Sequence, residues 1–204
     1  YLLGSATENQ GTAPVPFRKE SDGIFVIYTK LSSGNIYFTD ALEDGVNYTV
    51  DSSGRLIEGD EAYNVEAEEN VVRLTLNFNA KTISKDIISG VRMIWGATFD
   101  VIADMQYVGN GSFKKENVNI KFVDPNDPTT NPPSWLTWVE ERYYFISTIN
   151  GADVCWGRGD NVSAEQPGES EPATFYELHE FAWSQWDHLW KMSHSLNKKT
   201  CTVT

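Results

Sequence analysis

The sequence predicts an all-β protein made of two antiparallel β-sandwiches in tandem, and three observations carry that reading. Short runs of β-branched and aromatic residues alternate with clusters of Gly, Asn, Asp and Ser, which is the grammar of strands joined by tight turns. Apolar residues at helical spacing are scarce along the whole chain. The plan also repeats: residues 91–113, VRMIWGATFDVIADMQYVGNGSF, read as a second edition of the opening YLLGSATENQGTAPVPFRKESDGIF.

In the first copy, residues 1–6 form a short apolar strand followed by a Gly, Thr and Pro-rich connection through Pro16. Residues 23–31, GIFVIYTKL, and 36–39, IYFT, flank a turn and make a hairpin. Residues 46–50 and 55–57 flank a second turn, Asp51-Ser-Ser-Gly54, and residues 61–66 add a short strand. Residues 71–78, VVRLTLNF, alternate cleanly before Asn79-Ala80-Lys81 turns the chain into residues 82–88.

The second copy matches Gly96 to Gly4, Phe113 to Phe25 and Tyr144 to Tyr37. Its end, HLWKMSHSLNKKTCTVT (188–204), lies without a gap over NVVRLTLNFNAKTISKD (70–86), which sets Lys191 on Arg73, Met192 on Leu74 and Lys199 on Lys81. In this register Trp183 and Trp190 fall on Val65 and Val72, as core residues, whereas Trp186 falls on Glu68, an exposed position. The expected domains are 1–88 and 91–204. Ser89-Gly90 is too short for a free linker, so the sandwiches are expected nearly end to end. Two insertions enlarge the second copy, at residues 123–141 and within 157–177; both are Pro and acid-rich loops, the second also Gly-containing, the usual carriers of added binding groups.

The 204 residues carry a formal net charge of −13, which repels nucleic-acid phosphates and anionic lipid headgroups. No apolar run approaches the roughly 20 residues of a membrane helix. No leader precedes Tyr1, so the chain is expected to be a processed product without its signal or anchor. Cys155 and Cys201 are either a disulfide or two small buried hydrophobes, and the sequence favours neither.

Six of the seven tryptophans follow Asp100, and the first copy has none, which marks it as a structural spacer. Trp135 and Trp138 lie in the first insertion and Trp156 at the head of the second. An indole offers a flat apolar face to the axial C–H groups of a sugar ring while polar neighbours take its hydroxyls, so these three, with Arg142 and Arg158 at the edge, form the expected glycan platform, and Trp186 is the next candidate. Against this stands the reading that the tryptophans pin a long loop to the sandwich. His179, His188 and His194 lack metal-ligand spacing, Asp51-Ser-Ser-Gly-Arg lacks the later acids of a calcium loop, and no cofactor is expected. Asp124, Asp127 and Asp153 are a weaker cation prospect, and Arg158-Gly159-Asp160 spells an adhesion tripeptide that recurs by chance. No nucleophile elbow or phosphate loop occurs; Glu140-Glu141 and Glu58-Asp60-Glu61 read as surface carboxylates, leaving a glycoside hydrolase as the minority reading.

The YLLGSAT and MIWGAT strands, the DGxF and NGxF turns, the YF strand and the RLTLNFNAKTI hairpin in tandem resemble the SusE/SusF-type outer-membrane lipoproteins of Bacteroidetes glycan-utilisation systems. The resemblance spans essentially the whole chain. It implies tandem immunoglobulin-like β-sandwiches, a lipidated anchor, display at the surface of the outer membrane, and non-catalytic polysaccharide or oligosaccharide binding by a monomer alongside outer-membrane glycan-uptake proteins. The Gly-Trp pair common after the opening Gly-Ala-Thr is absent, with residues 8–12 and 99–102 in its place. The alternative is an adhesion or assembly module that docks a protein through the same aromatic loops.

Overall fold

The computed structural model describes residues 1–66, 70–159, 173–183 and 187–204. Among these the chain is all-β, with antiparallel sheets and no α-helix. It divides into two compact units, Tyr1–Ser89 with Tyr107–Ser112, and Gly90–Gln106 with Phe113–Thr204.

The first unit contains β1 (Leu2–Leu3), β2 (Arg18–Ser21), β3 (Ile24–Leu31), β4 (Gly34–Thr39), β5 (Asn47–Val50), β6 (Leu56–Glu58), β7 (Tyr63–Val65), β8 (Asn70–Asn77) and the first part of β9 (Thr82–Trp95). One sheet runs β1-β4-β5-β6 with β7 also on β4, and β2, β3, β8 and β9 pair in that order. Leu2, Ile36, Phe38 and Leu56 from the first set meet Ile27, Leu31, Val72, Leu74 and Leu76 from the second in one core. Alternation explains the split: Val72, Leu74 and Leu76 of β8 point inward, while Arg73 points out, where its Nε and a second guanidinium nitrogen both donate to Oδ2 of Asp86 on β9. β2 was not expected from the sequence. Its four residues, RKES, are all exposed, so no buried face leaves a pattern to read.

The second unit takes the rest of β9 and adds β10 (Val101–Gly109, through Gln106), β11 (Ser112–Ile120, from Phe113), β12 (Arg142–Ile149), β13 (Ala152–Gly157), β14 (His179–Phe181), β15 (Trp190–Lys191) and β16 (Lys199–Val203). The pairing β9-β12-β13-β14 with β15 on β12 reproduces β1-β4-β5-β6 with β7 on β4. Here the path continues unbroken through β10, β11 and β16, because β9 pairs with β10 from Val91↔Met105 to Ile94↔Val101. In the first unit that link shrinks to the single bridge Leu2↔Val15, since Pro14 and Pro16 on either side of Val15 have no N–H to extend a ladder. Met93 and Trp95 face one core with Met105, Val118, Ile120 and Phe122; Ile94 faces another with Tyr144, Phe181 and Leu189.

This pairing corrects the gapless overlay of the chain's closing segments. β15 corresponds to β7 and β16 to β8, because β16 pairs with β11 as β8 pairs with β3. Trp183 therefore does not occupy the Val65 position: it is 55% exposed, whereas Trp190 is core. The match of the opening glycines has a physical basis. A Cβ on Gly4 would lie 2.1 Å from the Asn35 carbonyl oxygen, and one on Gly96 would lie 3.3 Å from that of Arg142, each two residues before the matching Tyr37 and Tyr144. Ser89 and Gly90 both lie inside β9.

Candidate functional site

The insertion at residues 123–141 is closed at its base by paired backbone hydrogen bonds between Val123 and Glu140. Its interior is tied by local polar contacts. The Asp127 carboxylate accepts from the backbone N–H and the hydroxyl of Thr129 and pairs with Lys121 at 3.0 Å, while the Thr130 hydroxyl accepts from the Asp124 N–H. Leu136 is the apolar anchor, buried with Phe122 and Val123. Trp135 and Trp138, on either side of that anchor, remain 43% and 44% exposed, with ring centroids 6.0 Å apart and planes tilted by 54°. Leu136 and these polar ties help to hold the loop, and the indoles keep part of their surface in water.

Glu140 fixes one of these rings. Its side chain is 1% exposed and accepts hydrogen bonds from the Trp138 indole N–H at 3.0 Å, from the Arg142 backbone N–H at 3.0 Å, and from the Arg142 guanidinium through Nε and a second nitrogen. The guanidinium carbon sits 6.0 Å from the centre of a Trp138 ring. The sequence reading of Glu140 and Glu141 as surface carboxylates is overturned, because both are buried. The available signal for Glu140 was its spacing of two residues from both Trp138 and Arg142, which places an indole donor and a guanidinium close to it along the chain.

A cavity of about 460 Å³ opens beside Trp138, lined by Val139, Glu140, Glu141, Arg142, Lys191 and His194. Lys191 Nζ and His194 Nε2 stand 3.8 and 3.6 Å from Glu141 Oε1, ion-pair distances longer than a direct hydrogen bond. β15 places Lys191 opposite Arg142, and a 3-10 turn, His194–Leu196, sets the His194 ring edge-on to Phe122. The wall therefore combines an aromatic face, an aliphatic patch, and both signs of charge. Sequence reasoning missed Glu141, Lys191 and His194 because they converge only through the β12–β15 pairing.

The other expected platform residues stand on different elements. Trp156 belongs to β13 rather than to an inserted loop; it is half-buried opposite Phe145 and Glu180, and its indole N–H donates to the Ser147 hydroxyl at 2.6 Å. Arg158 is only 8% exposed, with its guanidinium 4.7 Å from the centre of the Phe175 ring and its backbone N–H donating to the His188 carbonyl. It is a buried packing residue, and its expected role at the edge of a platform does not fit that burial. Neither residue lines the cavity beside Trp138. Trp186 and Asp160 lie outside the described residues. Trp183 instead leans on Phe99, also exposed, at 5.4 Å between ring centres. Phe99 has a φ of +62°, unusual for an aromatic residue, so a second aromatic surface exists that sequence reasoning did not find.

Both cysteines are free thiols, Cys155 among Tyr144 and Phe181 and Cys201 among Val118 and Val203. Among the described residues no group of three or more His, Cys, Asp or Glu side chains is placed to hold a metal ion. No known protein family, curated protein or solved structure matches the chain.

Proposed function

We propose that the protein is a non-catalytic glycan-binding module of two tandem immunoglobulin-like sandwiches. Its resemblance to SusE/SusF-type lipoproteins supports a position at the outer-membrane surface within a glycan-uptake system. The observation that carries the reading is the Trp135–Trp138 pair, exposed on a loop whose apolar anchor is Leu136 and bordered by a cavity with charged walls. A pyranose ring stacks its C–H face on an indole, and its hydroxyls find an acceptor in Glu141 and donors in Lys191 and His194. Glu140 supports binding over hydrolysis: its carboxylate is committed to Arg142 and Trp138, which leaves it poorly suited to take up and release a proton. The binding core of this reading is Trp135, Trp138 and Arg142, without Trp156 and Arg158.

Affinity electrophoresis against a panel of soluble polysaccharides tests the proposal. Each stacked ring contributes roughly 1–2 kcal/mol, so Trp135→Ala should weaken retention by about tenfold while the unfolding midpoint holds, and Trp138→Ala should weaken it as much while also lowering the midpoint, because the buried Glu140 carboxylate loses its indole donor. Loss of stability with unchanged retention would return both tryptophans to a structural role. Binding to proteins but to no polysaccharide would favour the adhesion alternative.

A further inference from the structure

Phe99 and Trp183 take no part in the cavity beside Trp138. Phe99 ends the turn from β9 to β10, where its N–H donates to the Trp95 carbonyl and the Trp95 N–H donates to that of Asp100. A φ of +62° is a conformation that Gly or Asn adopts with little strain, yet the position holds an aromatic ring 45% exposed to water. Backbone strain of this kind collects at binding sites. Trp183, more exposed still, leans on the ring with planes 59° apart, so two apolar faces meet at an open angle. Ile94 and Tyr144 lie on one face of the β9-β12-β13 sheet, and alternation carries that face on to Arg92, Thr148 and Asp153. Burial pushes the Tyr144 hydroxyl up from its ordinary value, and a hydrogen bond with Trp183, then the charge of Arg92, draws it partly back. The polar edge of the Trp183 indole is thus tied to this face. Asp153 accepts from the Thr148 hydroxyl at 2.7 Å and from the Arg92 guanidinium at 2.8 Å, and these bonds hold its carboxyl below the ordinary 3.8. A carboxylate offers about four acceptor positions, and the Asp153 side chain is 53% exposed, so it can still accept from hydroxyls.

We infer that Phe99 and Trp183, with the Arg92–Asp153 pair, form a second subsite for an uncharged glycan chain, distinct from the Trp135–Trp138 site and resting on the same glycan reading. One pyranose packs its C–H face into the angle between the two rings. The next sugar along the chain reaches Arg92, which lies two residues, roughly 7 Å, beyond Ile94 on β9, and Asp153 beside it. Arg92 donates to sugar hydroxyls and Asp153 accepts from them. Because the two charges answer each other, the rim favours neither sign of sugar, and a formal net charge of −13 on the chain repels an anionic polymer.

Affinity electrophoresis of the whole protein in gels of amylopectin, galactomannan, arabinoxylan and mixed-linkage β-glucan tests the subsite. Phe99→Gly removes the ring at a position whose backbone suits glycine better, so binding and stability separate cleanly. In the gel that retards the parent most, Phe99→Gly should weaken retention by about tenfold while the unfolding midpoint holds or rises. Trp183→Ala should weaken it as much, and Asp153→Asn by about threefold. Parental retention in both Phe99→Gly and Trp183→Ala, with retention lost in Trp135→Ala, would overturn the subsite and leave the glycan reading standing. A midpoint lowered by Phe99→Gly with retention unchanged would also overturn it, by making the ring a packing residue. A parent protein retarded in none of the gels would overturn the subsite and the glycan reading together. Retention lost in Phe99→Gly but kept in Trp135→Ala would uphold this subsite and remove the other.

Discussion

Replacing Glu140 by Gln tests whether one buried carboxylate sets both the stability of the loop and the orientation of Trp138. Gln keeps the shape and one acceptor oxygen, so it can hold the Trp138 N–H or one Arg142 donor but not all of them. It also leaves the Arg142 guanidinium, whose side chain is 14% exposed, without its counter-charge. Removing one partner of a buried ion pair costs about 3–5 kcal/mol, and the surviving hydrogen bond argues for the lower end, about 3. For a unit of this size each kcal/mol moves the midpoint by about 4 °C, so calorimetry should find unfolding of the second unit lowered by roughly 12 °C. Glycan retention should fall as well, since the indole loses its fixed angle. The pH dependence has a definite sign. Burial pushes the Glu140 carboxyl up, but hydrogen bonds and charge from Arg142, with the Trp138 N–H, outweigh it and hold the group below the ordinary 4.5. Its contribution is therefore complete above about pH 4.5 and drains away as pH falls through that lower folded value. A Glu140→Gln protein melting within about 2 °C of the parent at pH 7, with the same acid limb, would refute the assignment of an ionised, structure-bearing Glu140.

Three further outcomes follow from local geometry. Gly4→Ala should abolish folding of the first unit, as seen in loss of its calorimetric transition, because the new Cβ would sit 2.1 Å from the Asn35 carbonyl oxygen at a φ of +122°. The Asp127 carboxyl should titrate at about 2 by NMR, held down first by the Thr129 hydroxyl and then by Lys121, and Thr129→Val should raise it toward 3.8. Tyr107 should stay protonated to about 12 in ultraviolet titration, chiefly through burial. Its hydroxyl donates to Glu8 at 2.8 Å and accepts from the Gly111 N–H, so Tyr107→Phe should cost about 1–2 kcal/mol in denaturant unfolding.

The parts of the fold that could be read in the sequence are those where one face is buried and the other wet. Alternation placed strands at 23–31 and 71–78, and a flanking turn placed one at 46–50, against Ile24–Leu31, Asn70–Asn77 and Asn47–Val50 in the structure. The same rule was silent for Arg18–Ser21, wet on every side. It also misplaced the end of the 82–88 strand, because Gly90 permits an extended backbone as readily as a turn. The closing overlay failed for a related reason: β8 and the segment around β15 both precede a polar turn with a Lys at positive φ, Lys81 and Lys198, and short motifs of that kind recur without occupying the same place in a sheet.

The site divides along the same line. Comparing the two copies singled out Trp135 and Trp138, since nothing in the first copy requires them, and both keep much of their surface in water. The same comparison chose Trp156 and Arg158, which the structure puts to use elsewhere, one donating to Ser147 and the other lying over Phe175. An unmatched residue can serve an unmatched core as well as a ligand, and only burial separates the two. Glu140 shows the converse. In sequence it is one acid among 29 acidic residues, and its meaning lies in Trp138 and Arg142, its neighbours two residues away on either side. The spacing of an indole two residues before the acid and an Arg two residues after it is legible in the sequence, but that all three side chains meet is not, because Trp138 lies at a bend of the inserted loop and β12 begins only at Arg142.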